Sequence, residues 1–213
     1  MAYTKILLIL ICATCTIALV IAESRQWQRG KAIFKCAAST SFVAFALQCS
    51  ALSSDYGRLI LIALILSWIG DMLLLSHRSK FFLSGIAAFL LAHLAFAVSF
   101  ASRQLDATAL SVALIVMSIF GWLTMRWLWP YLSGFYKFAV SLYIAAIALM
   151  CSLAISVSLA SGFGLYAMGA LLFAASDISV ARDRFVKPGI INRAWGLPVY
   201  YAAQLMLAWT VLY

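Results

Sequence analysis

The sequence predicts an all-α integral membrane protein with eight transmembrane helices, and three observations carry that expectation. Hydrophobic residues make up 66% of the 213-residue chain and charged residues 10%, where soluble domains are about half apolar and about a quarter charged. Mean hydropathy is +1.07. Apolar runs recur along the whole chain, each near the ~20 residues that cross a ~30 Å hydrocarbon core at 1.5 Å per residue. Eight such runs leave room only for termini and loops. The chemistry must therefore lie among the helices of a single membrane domain over residues 1–213.

The first run, near 6–22, follows Lys5 and ends in small residues, as a secretory leader would. Arg25, Arg29, Lys31 and Lys35 come directly after it and resist translocation, so it is read as the first span. The second run, near 33–52, enters the membrane at Phe34-Lys35; the third, near 58–76, carries Gly70-Asp71; the fourth, near 82–101, carries His93. The fifth lies near 108–125, and the sixth, near 136–159, begins at Tyr136-Lys137. The seventh, near 162–180, carries Ser176-Asp177, and its Gly162, Gly164, Gly169, Ala174 and Ala175 are read as sites of close helix packing. The eighth, near 196–213, carries Tyr200, Tyr201 and Gln204. Pro188 and Pro198 fall outside the helix middles on these boundaries, so no span shows a Gly/Pro break. The five cysteines all lie in apolar runs, and Cys12-Ala13-Thr14-Cys15, without a βαβ context, is read as buried small residues rather than a redox motif. The aromatics are assigned to core and interfacial belts.

A net charge of +9 and a pI near 9.6 would suit a nucleic-acid partner, but the placement of the basic residues points to the membrane instead. Twelve of the fifteen follow the odd-numbered helices, in the stretches holding Arg25 to Lys35, Arg78 and Lys80, Arg126 and Lys137, and Arg182 to Arg193; Lys5, Arg58 and Arg103 lie on the other side. The positive-inside rule then puts both termini outside the cytoplasm, in an expected bacterial inner membrane. Anionic membrane lipids are a sufficient partner for the belt.

The two halves carry similar signals at nearly fixed offsets. Lys35 matches Lys137, Asp71 matches Asp177 and His93 matches Gln204, at offsets of 102, 106 and 111 residues. Four helices between copies imply parallel repeats, 1–105 and 106–213, related about an axis along the membrane normal.

Asp71 and Asp177 stand out, because an ionisable residue inside a span costs roughly 2.5–3.5 kcal/mol on insertion scales and marks function by default. The helical rise places both within about 10 Å of the basic side, while His93 and Gln204 lie about 16–20 Å deep. Facing one interior, these groups would line a cavity open to the inner leaflet. His93 has only His77 for company, which argues against a His-rich metal site; the expected cofactor is none.

Phe34-Lys35, Gly70-Asp71, the stretch from Gly85 to Phe96, Gly169 to Asp177 with Arg184-Phe185, and Tyr200-Tyr201-Ala-Ala-Gln204 resemble the YhhN/TMEM86 family from about residue 30 onward. The chain departs from the family pattern at Cys36, where proline usually follows the lysine. The resemblance implies an eight-span lysoplasmalogenase, which hydrolyses the vinyl ether bond of a lysophospholipid substrate to a fatty aldehyde and a glycerophospho-base. Vinyl ether hydrolysis starts with proton transfer to carbon and needs a carboxylic acid, with a carboxylate to stabilise the oxocarbenium ion and activate water. Asp71 and Asp177 are the candidates for that pair, since Glu23, Asp55, Asp106 and Asp183 fall in loops or at helix ends. The sequence leaves the two roles open. The apolar surround of Asp71 favours it as acid, and Ser176 and Arg182 near Asp177 favour that residue as base. Lys35, Lys137 and Arg78 are candidates for the lipid phosphate, and Tyr200, Tyr201 and Trp195 for a cationic head group. Two other classes remain: a small-molecule or lipid carrier using the same polar cavity, and a scaffold in which Asp71–Lys35 and Asp177–Lys137 pairs fasten helices.

Overall fold

The structure, a computed structural model, describes residues 2–76 and 78–213, so His77 lies outside the described residues. Eight α-helices follow one another among those residues: α1 (Ala2–Ser24), α2 (Gln28–Gln48), α3 (Asp55–Leu73), α4 (Ser79–Ala101), α5 (Ala107–Leu128), α6 (Phe135–Ser161), α7 (Leu165–Ala181) and α8 (Ile190–Trp209). Helices rather than strands are what a lipid environment demands of an open chain, because every backbone group must be bonded within its own segment. Two helix starts are capped by side chains: Ser54 Oγ accepts from the Gly57 N–H at 3.0 Å, and Asp106 Oδ1 accepts from the Ala109 N–H at 2.8 Å.

Seven of the helices, α1 to α7, are long and apolar enough to cross a membrane. The last helix differs from expectation. It begins at Ile190, not near 196, because Asn192 and Arg193 carry no apolar signal yet are anchored to the preceding turn through Asp183. Pro198 therefore lies well inside α8, which corrects the reading that both prolines avoid helix middles. Proline lacks the N–H that would reach the Ala194 carbonyl, so one ladder bond is missing there although α8 runs on without a break. At the end of α7 the backbone widens into a π-helical turn, Arg182–Val186.

Consecutive helices pack as neighbours except α4 and α5; α4 leans instead on α6, α8 lies against α7, α1 and α2, and α5 packs chiefly on α6. Phe42, Phe45, Phe96, Phe100, Tyr166, Phe173 and Tyr201 form the centre. Large apolar side chains such as Ile115, Ile119 and Trp122 point outward, as they should where the surroundings are lipid tails no less apolar than leucine. Polar groups are drawn inward instead: Ser39, Ser67, Asp71, His93, Ser99 and Gln204 are all buried. Of the small residues expected at helix contacts, Gly169 fits, since a Cβ there would come within 2.9 Å of Leu207. Gly162 and Gly164 do not, having open space around them; Gly162 ends α6 at a φ of 70°, the left-handed cap conformation.

Candidate active site

A cavity of about 430 Å³ opens among the eight helices at the basic end of the bundle, α1 contributing Glu23, and Asp71 and Asp177 both line it. Its walls divide by chemistry. Glu23, Lys31, Asp183, Arg184 and Arg193 stand at the charged end, while Met117, Phe120 and Leu128 from α5 with Ile144 and Ile147 from α6 make the far side apolar.

Asp71 is almost fully buried and is surrounded by donors. Lys35 Nζ lies 3.2 Å from Oδ1; Ser39 Oγ donates to Oδ2 at 2.6 Å and Tyr200 Oη donates to the same oxygen at 2.8 Å. Lys35 and Ser39 are four residues apart on α2 and so present one face to α3. The Tyr201 hydroxyl sits behind them, 3.2 Å from Ser39 Oγ and 3.5 Å from the Lys35 carbonyl.

Asp177 has a different company. Tyr143 Oη donates to Oδ1 at 3.0 Å, and His93 Nε2 stands 3.1 Å from Oδ2. That approach has the separation of an ion pair without the alignment of a directed hydrogen bond, and neither atom has another partner among the described residues. The His93 ring is fixed on both sides: Nδ1 meets the Phe89 carbonyl at 2.7 Å, and Phe173 stacks on the ring at 4.3 Å. Phe89, Phe173 and Tyr200, in mutual edge contact at 5.6–6.2 Å, run from the Asp71 cluster, which Tyr200 bonds, to the Asp177 cluster, where Phe173 stacks on His93.

The remaining sequence candidates are scattered. Ser176 lines the cavity, but its hydroxyl is spent on the Phe173 carbonyl at 2.7 Å. Arg182 bonds Asn192 Oδ1 at 2.8 Å, so the surround expected to hold Asp177 as a charged base is absent there; charge stabilisation is concentrated at Asp71. Lys137 reaches neither Asp177 nor the cavity wall: its ammonium lies 4.4 Å over the Trp129 ring. Arg78 is exposed at the start of α4, Trp195 is exposed, and neither lines the cavity. Tyr201 and Gln204 are buried behind the wall, and neither atom of the Gln204 amide has a protein partner among the described residues.

Several residues at the site escaped sequence reasoning. Ser39 was signalled only by its i+4 spacing from Lys35, and Tyr143 by nothing beyond its type. At the mouth, Glu23 pairs with Lys31 at 2.9 Å and with Arg193 at 2.6 Å, and Arg193 also holds Asp183 at 3.0 Å. Two acids set aside as helix-end residues thus line the cavity. No group of three or more metal-ligating side chains occurs among the described residues.

Two carboxylates on separate helices, Asp71 buried and Asp177 half-buried, opening on one half-apolar cavity, define an all-helical integral membrane protein with an internal polar site. The chain belongs to the YhhN family, whose profile matches residues 30–211. It is 32% identical over 160 residues to a Bos taurus protein named lysoplasmalogenase TMEM86A, covering 70% of this chain and 63% of that one. It is 31% identical over 153 residues to a lysoplasmalogenase of Mycobacterium tuberculosis, covering 68% and 57%, and 30% identical over 181 residues to lysoplasmalogenase TMEM86B of Sus scrofa, covering 84% and 74%. The match thus spans less than two thirds of the length of the first two relatives. No solved structure matches the chain.

Proposed function

We propose that the protein is a lysoplasmalogenase, hydrolysing the vinyl ether bond of a lysoplasmalogen to a fatty aldehyde and a glycerophospho-base with Asp71 and Asp177 as the acid–base pair. One observation carries the reading: both carboxylates open on the same cavity, which charged residues and an apolar wall also line. The vinyl ether of a lysolipid lies at the junction between head group and chain. A lipid with its head group among Lys31, Arg193, Glu23 and Asp183 and its chain against α5 and α6 brings that bond to the depth of the aspartates. The names of the relatives favour the same chemistry.

The chain is one membrane domain, 1–213, in which α8 is the eighth span and the halves 1–105 and 106–213 are parallel repeats about the membrane normal. Support comes from cross-pairing: Asp71 on α3 is bonded from α2 and α8, and Asp177 on α7 meets groups from α6 and α4, the helices four places along in each case. In a bacterial inner membrane the basic loops and the cavity mouth face the cytoplasm and both termini face away. A phosphatase reporter fused to the C-terminus should be active in the periplasm, and a fluorescent cytoplasmic fusion would overturn the orientation.

The functional test is aldehyde release from a lysoplasmalogen by the purified protein. A second reading is a lipid or small-molecule carrier; Pro198 inside α8 removes one ladder bond beside the cavity-lining Tyr200, a weak point of the kind carriers exploit. Substrate binding without aldehyde would favour it and sink the hydrolase.

A further inference from the structure

We infer that the acid proton is held between Asp177 and His93, and that Asp71 is the base; the inference rests on the lysoplasmalogenase reading above. His93 Nδ1 lies 2.7 Å from the Phe89 carbonyl. A carbonyl oxygen only accepts, so Nδ1 carries a proton and the tautomer follows from that bond. In the neutral ring Nε2 is then a lone pair, and it is buried 3.1 Å from Asp177 Oδ2, with no other partner for either atom among the described residues. An ionised Asp177 would place two lone pairs against each other in a sealed space. One proton therefore belongs to the pair as a unit, on Nε2 or on Oδ2. The other oxygen, Oδ1, accepts from Tyr143.

Asp71 holds no such proton at rest. Its Oδ1 faces the Lys35 ammonium, and its Oδ2 accepts from two hydroxyls. Donors on every side hold a carboxylate in its charged form.

The division of labour completes a balanced reaction. The terminal torsion of an aspartate is broad and two-fold, so a half-turn of the Asp177 carboxyl brings the proton to the cavity. The proton goes to the alkenyl carbon beyond the one bearing oxygen; the C=C pair makes the new C–H bond and an oxygen lone pair makes the oxocarbenium ion. Water adds to the cationic carbon and gives a proton to Asp71. The hemiacetal hydroxyl then returns a proton to Asp177 as its bond to the glycerol oxygen breaks, and Asp71 protonates that oxygen. One water is consumed and both carboxyls are restored. His93 does not line the cavity and acts through Asp177, as a positioning residue.

Among the described residues the other titratable groups facing this pair are few. Tyr143 touches both members from α6, and Cys151, also on α6, lies within charge range of Asp177. Tyr200 on α8 is also within charge range, and across the cavity stand Asp71 and Lys35. Of these, Tyr143 alone bonds Asp177.

The experiment is the pH dependence of kcat/KM for aldehyde release by the full chain in detergent, with an alkenyl glycerophosphoethanolamine as probe. His93→Gln replaces the acceptor at Nε2 by an amide donor, which favours the charged carboxylate. Its alkaline limb should move about one pH unit or more toward acid, with about tenfold loss at neutral pH recovered at low pH. Tyr143→Phe removes a donor to the carboxylate and should move the limb the opposite way. A folded H93Q variant with the wild-type profile overturns the assignment. If H93Q does not fold, Y143F decides, and an unmoved limb there overturns it equally. Asp177→Asn separates the two levels: an active D177N protein sinks the two-aspartate reading itself, whereas an inactive one beside unmoved H93Q and Y143F profiles sinks only the proton assignment.

Discussion

Asp71 and Asp177 sit at similar depths on α3 and α7, yet their neighbours differ in kind. Around Asp71 stand an ammonium and two hydroxyls from α2 and α8. Around Asp177 stand one phenol and a ring nitrogen whose other side is already committed to a carbonyl. On the proposed assignment the first set fixes a negative charge and the second stores a proton. Paired carboxylates do acid–base work when their environments push them apart, and here the difference comes from second helices rather than from the aspartates or their immediate sequence.

The largest effects should come from removing either carboxylate. Asp71→Asn and Asp177→Asn keep the shape and abolish proton transfer, so each should lower the rate of aldehyde release by about 10²–10⁴. A near wild-type rate from either variant, in protein that folds and binds lysolipid, would turn that aspartate into a structural fastener.

Stability should break the symmetry that activity does not. Asp71→Asn strands the Lys35 ammonium, only 13% exposed, and losing one partner of a buried pair costs about 3–5 kcal/mol. Asp177→Asn faces His93, which becomes a neutral ring whose Nε2 accepts from the amide, so the cost should be about 1 kcal/mol or less. Thermal melts of the two variants in one detergent read the difference directly, and equal melts would mean that the two surroundings are electrically alike. The double variant Lys35→Met with Asp71→Asn should regain most of the stability without regaining activity, because an absent pair costs less than a broken one. Ser39→Ala removes a single bond to the charged oxygen and should cost about 1.5–3 kcal/mol on the same scale. A loss as small as that of D177N would count against the ionised state of Asp71.

The aspartates and Lys35 stood out in the sequence because a charge in an apolar run is costly and must find a partner or a task, and seven of the spans were legible from length and hydropathy alone. The start of α8 was not, since its first turn is polar and is held by Asp183 rather than by apolar periodicity. Lys137 shows the limit of pattern matching. It aligns with Lys35 in the repeat, but Trp129, eight residues back, offers its ring face and takes the ammonium away from the site. Ser39 and Tyr143 are ordinary residues in apolar surroundings, and which acceptor each meets depends on how α2 and α6 are rotated. Helix rotation is set by packing against neighbours, which composition does not encode.

The smallest effect should come from the mouth. Arg193 bridges the end of α1 and the turn before α8 by bonding Glu23 at 2.6 Å and Asp183 at 3.0 Å, while its side chain is 34% exposed. Solvent screening at that exposure holds such pairs to about 1 kcal/mol or less. Neither acid is left alone by Arg193→Gln: Glu23 keeps Lys31 at 2.9 Å, and Asp183 keeps the Gly189 N–H at 2.8 Å and the Asn192 amide at 3.3 Å. The fold should therefore barely respond. If the mouth holds the head group while the chemistry lies deeper, the variant should raise KM for the lysolipid several-fold with kcat unchanged, the signature of lost ground-state binding. A fall in kcat like that of D177N would instead tie Arg193 to the reacting atoms, and the separation between a binding mouth and a catalytic interior would have to be abandoned.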